Sequence, residues 1–273
     1  MVSPMSTPFP AARPTPTAEG PSKVPEVVTG WFWIAKILTT AMGEATSDYL
    51  VHRISPYVAV LLGAVGLVLA LTLQLRARRY SAPVYWFAVV MVAIAGTMGA
   101  DVLHVEFGVP YVASTVLYAV AMVAVFAAWK RTEGTLSIHA VDTRRRELFY
   151  WAAVLSTFAM GTALGDLTAY TAHLGFFSAG LLFMAVFSVP AVAYRLRLLS
   201  AVPAFWFAYI VTRPLGASFA DWMGVPRALG GLDWGRGTVS LALAALIVAL
   251  VAFIASSGVD LGSRRTAVHK VVA

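Results

Sequence analysis

The chain contains no cysteine. That excludes disulfides, thiolate metal sites and cysteine nucleophiles. Charge is scarce as well: 12% of the 273 residues are Asp, Glu, Lys or Arg, against 59% that are hydrophobic. A soluble domain needs a polar surface that this composition does not supply. The sequence has no His-Glu-x-x-His, no Gly-x-Ser-x-Gly and no phosphate-binding loop, so it offers no known enzymatic machinery. A basic start followed by an apolar stretch, the mark of a signal peptide, is also missing. Residues 1–28 are instead Pro-, Ser- and Thr-rich, with prolines at 4, 8, 10, 14, 16, 21 and 25. They read as a disordered tail, with membrane insertion directed by the first helix.

What is present is long apolar sequence. The segment 58–75 has only Thr72 and Gln74 as polar residues, and 238–255 carries no charge. Each is long enough to cross a hydrocarbon core of about 30 Å. The formal net charge of +7 does not point to nucleic acid, because the cations sit in alternate loops. They group as Arg76, Arg78 and Arg79; Lys130, Arg131 and Arg144 to Arg146; Arg195 and Arg197; and Arg264, Arg265 and Lys270, with Arg13 and Lys23 in the N-terminal tail. The intervening loops hold only Arg53, Arg227 and Arg236. By the positive-inside rule both termini are cytoplasmic and the number of crossings is even.

The most informative pattern is an internal repeat. The pairs Phe32-Trp33, Tyr85-Trp86, Tyr150-Trp151 and Phe205-Trp206 are each followed at fixed offsets by an alanine (Ala35, Ala88, Ala153, Ala208), a glycine (Gly43, Gly96, Gly161, Gly216) and an aspartate (Asp48, Asp101, Asp166, Asp221). A plainer apolar segment follows each copy. The predicted spans are 31–50 and 57–75, 83–103 and 111–129, 149–169 and 175–194, and 203–223 and 238–256. The chain divides into repeat 1 (29–79), repeat 2 (80–132), a basic cytoplasmic loop (133–147), repeat 3 (148–198), repeat 4 (199–257) and a cytoplasmic tail (258–273). The fold class is an all-α polytopic membrane protein of eight transmembrane helices. Its four two-helix repeats run parallel, related by a pseudo-fourfold axis along the membrane normal. The simplest packing is a ring with the motif helices inside.

Tryptophan at a helix end belongs to the interfacial aromatic belt, and the small residues suit close helix packing. The aspartates resist such accounts. A charge at the bilayer centre costs about 2.5–3.5 kcal/mol, and four lie at one register. Fifteen residues of helix rise about 22 Å, which places each Asp in the outer third of the membrane. Facing the axis, they form an acidic ring; otherwise each caps its own loop. Glu44 lies one turn below Asp48, with Thr97 and Thr162 at the same offset in the next two copies. Thr39, Thr157 and Thr212 form a second row, which lines a polar path or back-bonds to its own helices. His52, His104 and His173 follow the first three aspartates. Imidazole with carboxylate suits Mn²⁺, Zn²⁺ or Fe²⁺, although the fourth copy has Trp222 and no histidine. Two counter-charges break the symmetry. Lys36 is shallow enough to snorkel to the cytoplasm. Arg213 is about 10 Å deep and needs Glu44 or Asp48 if the first and fourth copies meet. Pro214 kinks its helix and frees a carbonyl.

The fourfold repeat, including Lys36-Ile-Leu-Thr-Thr-Ala-Met-Gly-Glu-Ala-Thr-Ser-Asp48 in its first copy, resembles a bacterial inner-membrane family of tandem two-helix repeats of unknown function. The resemblance covers residues of about 30–255. It implies the fold and a bacterial plasma-membrane location, and no substrate. From the residues, the leading expectation is a transporter or channel for a cation, above all a divalent metal ion such as Mn²⁺. Asp48, Asp101, Asp166, Asp221 and Glu44 would bind it. The alternatives are a proton-coupled carrier of a small organic solute, and a membrane scaffold or sensor whose acids are interhelical glue. The partners expected are the bilayer and a small cation or solute.

Overall fold

The computed structural model describes residues 22–261. Most of the N-terminal tail and all but the first residues of the C-terminal tail lie outside that range. The described chain is all-helical: α1 (Gly30–Arg53), α2 (Pro56–Arg76), α3 (Ala82–Val105), α4 (Tyr111–Glu133), α5 (Arg144–Asp166), α6 (Gly175–Arg195), α7 (Ala201–Gly224) and α8 (Arg236–Ser257). Local signals set the ends. Thr29 and Thr143 cap α1 and α5 by accepting from the amides of Phe32 and Arg146, satisfying donors that a helix start leaves open. Prolines occupy the first turns of α2 and α3, where their missing N–H costs nothing. Gly134 and Gly258 end α4 and α8 in the left-handed region, which glycine enters without a Cβ clash. α7 runs through Pro214 to Gly224 as one helix, and a π-helical turn, Leu167–Thr171, extends α5 past Asp166.

The motif helices close a ring: α1 packs on α3, α3 on α5, α5 on α7, and α7 on α1. Each plainer helix lies chiefly against the motif helix of the following repeat, α2 on α3, α4 on α5, α6 on α7, and α8 back on α1. Every unit is therefore clasped by its neighbour, and the last clasps the first. The layers are inverted relative to a soluble protein. Outer helices present Leu61, Val65, Leu69, Val116, Val120, Leu241 and Val248 to the surroundings. Buried polar side chains concentrate on the inner ones: Lys36, Thr39, Thr40, Glu44, Thr97, Thr157, Thr162, Thr212 and Arg213. Among the described residues six helices are long and apolar enough to cross a membrane, namely α2, α3, α4, α5 with its extension, α6 and α8. α1 and α7 fall short because they carry the buried charges, which the other helices shield. This is a membrane protein.

Residues 22–28, read from sequence as the end of a loose tail, are irregular but fastened down. Val24 is fully buried. Lys23 pairs with Glu147 at 2.8 Å, and Ser22 O accepts from the Tyr80 amide at 2.9 Å. The amides of Glu26 and Val27 donate to Asp260 O at 3.0 and 3.1 Å. Both ends of the described chain thus meet across the Trp end of the ring.

Candidate functional site

The Trp end is a closed aromatic layer. The aromatic residue before each Trp touches the Trp of the next repeat: Phe32 with Trp86, Tyr85 with Trp151, Tyr150 with Trp206, and Phe205 with Trp33, at centroid separations of 5.5, 5.7, 6.1 and 5.6 Å. Tyr85 and Tyr150 share a hydrogen bond between hydroxyls at 2.6 Å. Trp86, Trp151 and Trp206 are buried and Trp33 half-buried. This corrects the interfacial-belt expectation: the tryptophans pack inside the ring rather than anchor in headgroups. The motif glycines follow the same cyclic rule one layer up. A Cβ at Gly43 would strike Ala93, at Gly96 the Cβ of Phe158 (3.0 Å), at Gly161 the Cγ of Arg213 (2.6 Å), and at Gly216 Thr40 and the Ala41 amide nitrogen (2.9 Å). Each glycine is an absence of side chain that admits the next helix.

Above that layer the ring's interior is charged. Arg213, 1% exposed, extends from α7 to all three other motif helices. Its Nη2 donates to Glu44 at 2.5 Å, to Thr162 at 2.7 Å and to Thr97, and Nη1 donates to Thr40 O at 3.3 Å. Glu44, Thr97 and Thr162 occupy the same motif position in repeats 1, 2 and 3. The expected Arg213 partner is thus Glu44 rather than Asp48. The second threonine row behaves otherwise: Thr39, Thr157 and Thr212 donate to Lys36 O, Val154 O and Tyr209 O of their own helices, which settles that row as back-bonding. Next to Pro214, the Thr212 carbonyl of α7 accepts from another motif helix, from Thr40 Oγ1 at 3.0 Å.

Lys36 requires a second correction. It does not snorkel. Lys36 is 1% exposed and turns inward, its Nζ 4.0 Å from the Phe158 centroid and 4.1 Å from that of Tyr209. Cation–π attraction to two ring faces explains the choice, since no hydrogen-bond acceptor reaches Nζ among the described residues. Phe158, Lys36 and Arg213 thus lie buried together inside the ring of motif helices.

At the far end the four aspartates are recessed. Each is half-buried, and together they form the acidic mouth of the ring. Asp101 feels the charges of Asp166, Glu44, Asp48 and Arg213. Asp221 feels those of Glu44, Asp48 and Asp166. The motif carboxylates therefore share one field, but they are not equivalent. Arg236, at the start of α8, holds Asp48 at 2.8 Å. Among the described residues no side chain donates to or ion-pairs with Asp101, Asp166 or Asp221. Sequence reading assigned Arg236 to an outer loop and missed this pair. The available signal was its position two residues before the last predicted span, whose helix the ring brings onto α1.

The histidines stay apart. His52 is exposed, its Nδ1 2.7 Å from the Asp48 carbonyl oxygen of its own helix. His104 stacks on Tyr111 at 3.7 Å, with Nδ1 on Val109 O. His173 sits exposed in the left-handed region, φ 54°. Among the described residues no three His, Asp or Glu side chains assemble into a metal-holding group. Aromatics crowd the mouth instead: Tyr111 stacks on Tyr170 at 5.8 Å, and both tyrosines lie within the field of Asp48, Asp166 and Asp221. No motif marks this pair, which joins the first residue of α4 in repeat 2 to the π-helical turn after α5 in repeat 3.

Fold and site together define a membrane protein of tandem helical repeats, with a sealed aromatic end, a charged interior and an acidic mouth. The chain belongs to the family described as Repeat of Unknown Function (DUF347), which matches it four times, at residues 31–80, 84–135, 149–197 and 204–259. No curated protein and no solved structure matches it.

Proposed function

We propose that this protein is a membrane carrier for a cation, with eight spans in a pseudo-fourfold ring about the membrane normal. Both termini lie in the cytoplasm of a bacterial inner membrane, and the acidic mouth opens to the other side. The carrying observation is that Asp101, Asp166 and Asp221 stand half-buried at one motif position on three helices of the ring and, among the described residues, have no contact cation of their own. Intramembrane carboxylates are costly, and a recessed cluster of them raises the local concentration of cations. The buried interior favours a carrier over a channel, because passage needs a rearrangement of Lys36, Arg213 and the aromatic layer.

The cargo binds hydrated or as an organic cation, a reading supported by the absence of a metal-holding group among the described residues. A divalent ion such as Mn²⁺ remains the comparison cargo. The test is uptake of Mn²⁺ and of methylammonium into proteoliposomes. Asp166→Asn or Asp101→Asn should reduce uptake by about tenfold or more, the loss of one charge contact to the cargo. Asp48→Asn, whose charge Arg236 already neutralises, should cost less. Equal uptake by wild type and Asp166→Asn removes the acidic mouth from the mechanism.

A further inference from the structure

The surroundings of the Arg213 guanidinium form a complete recognition set for a small planar cation. Glu44 supplies a carboxylate, Thr97 and Thr162 hydroxyls, Thr40 a backbone carbonyl, and Phe158 a ring whose centroid lies 5.4 Å from the guanidinium carbon. Glu44, Thr97, Thr162 and Phe158 are all at most 4% exposed. Three of the acceptors stand at one motif position in three repeats. The ring itself therefore builds the cradle, and the fourth repeat contributes the occupant. We propose that this cradle is a second cargo site, that Arg213 is a tethered stand-in for the cargo, and that the cargo is a small guanidinium- or amine-bearing cation that takes Arg213's place on Glu44. The proposal rests on the carrier reading and deepens it.

The donor set selects the class. A divalent metal demands several carboxylate or carbonyl oxygens, or imidazoles, converging on one point. One carboxylate, two hydroxyls, a carbonyl and an aromatic face suit a delocalised or alkylated nitrogen cation. The displaced charge has other carboxylates to answer to. Asp101 and Asp166 already lie within the field of Arg213, and its Cβ and Cγ lie along the open backbone of Gly161. Arrival of cargo on Glu44 would then shift the Arg213 charge toward the mouth, where it would oppose rebinding from that side. Glu44 stays paired with a cation throughout, and the one positive charge that the cargo adds is balanced by Asp101 and Asp166, the carboxylates toward which Arg213 moves.

Chemical rescue tests the cradle directly. Arg213→Ala leaves it without a guanidinium, so its melting temperature should fall. Guanidinium chloride at non-denaturing millimolar concentration should restore at least half of the loss, where equal sodium chloride does not. Adding Glu44→Gln should abolish the rescue. Arg213→Lys, which keeps the charge but loses the planar fork, serves if the alanine variant does not fold. It should bind guanidinium about tenfold more tightly than wild type does, because the internal competitor is weaker. Labelled guanidinium and methylammonium uptake by wild type should exceed Mn²⁺ uptake and should fall about tenfold in Glu44→Gln. Failed rescue together with unchanged affinity in Arg213→Lys overturns the cradle. Rescue with no guanidinium or methylammonium uptake by a wild type that moves Mn²⁺ makes Arg213 a permanent lock and overturns the exchange. If wild type moves none of these probes, the carrier reading fails, while the rescue result still decides whether the cradle recognises guanidinium.

Discussion

The two ends of the ring treat the same fourfold motif in opposite ways. At the Trp end the pattern is carried out four times over, each aromatic pair on the next and each glycine against the next helix. At the acidic end four equivalent aspartates meet three different fates. Asp48 is held by Arg236, Asp101 and Asp166 lie within the field of Arg213, and Asp221 lies within that of Arg236 without pairing to it. Packing can be copied from unit to unit because it needs only matching volumes. Chemistry at an axis cannot, since four identical charges would repel. The departures Glu44, Arg213 and Lys36 stand where the recurring contacts end, each in one repeat alone.

Removing one member of the central pair gives the largest expected effect. Arg213→Met leaves Glu44 buried without its partner and should cost about 3–5 kcal/mol, the usual penalty for breaking a buried pair. Arg213→Met with Glu44→Met should recover most of that loss. The melting temperatures of the two variants in detergent check this. If the double variant melts no higher than the single one, the pair is not the element that charge balance makes it.

The packing end is sharpened by two glycines. Gly216→Ala places a methyl against Thr40 and the Ala41 backbone and should destabilise by about 1–3 kcal/mol, since the α1–α7 contact has to open. Gly99→Ala, also inside a helix but with nothing within 4 Å of the added carbon, should stabilise by about 0.5–1 kcal/mol through helix propensity. Opposite signs in paired thermal melts support the close-approach role of the motif glycine. Equal signs reject it.

What could be read beforehand divides along the same line. Period and helix positions follow from offsets that recur, and the Arg213–Glu44 meeting from the depth of Arg213 together with closure of the first copy on the fourth. The site's particulars come from positions where the repeat fails. Phe158 is read as one more apolar residue until the ring sets α5 across from α1 and puts Lys36 against its face. Lys36 was expected to reach water because distance from the helix end was the only measure available. The aromatic faces that hold it come from two other repeats. Arg236 meets Asp48 only because the last helix returns to the first, a closure that no local pattern encodes.

A smaller effect separates the aromatic layer from its cover. Tyr85→Phe removes the hydroxyl bond to Tyr150 while keeping the ring contacts, and should cost about 1 kcal/mol. A loss near that of Gly216→Ala would mean that the layer depends on its polar bond rather than on ring packing.

The smallest effect concerns the cover itself, outside the spans. Asp260 is buried beneath residues 22–29 and accepts a hydrogen bond from the Tyr80 hydroxyl. Burial pushes its carboxyl above the ordinary range, against the pull of the Tyr80 hydroxyl and its own backbone N–H, and the charge of Glu26 adds to the rise. The folded protein therefore keeps this proton at pH values where the unfolded chain has lost it. With more protons bound in the folded state, stability falls as pH rises. The decline begins near the unfolded Asp value of about 3.9 and ends above the folded one. Asp260→Asn removes the titration, so the difference in melting temperature, wild type minus variant, should decrease as pH is raised through that window. A difference that increases with pH would show that the Tyr80 bond outweighs burial, and that the ionised carboxylate is what fastens the cover to the sealed end.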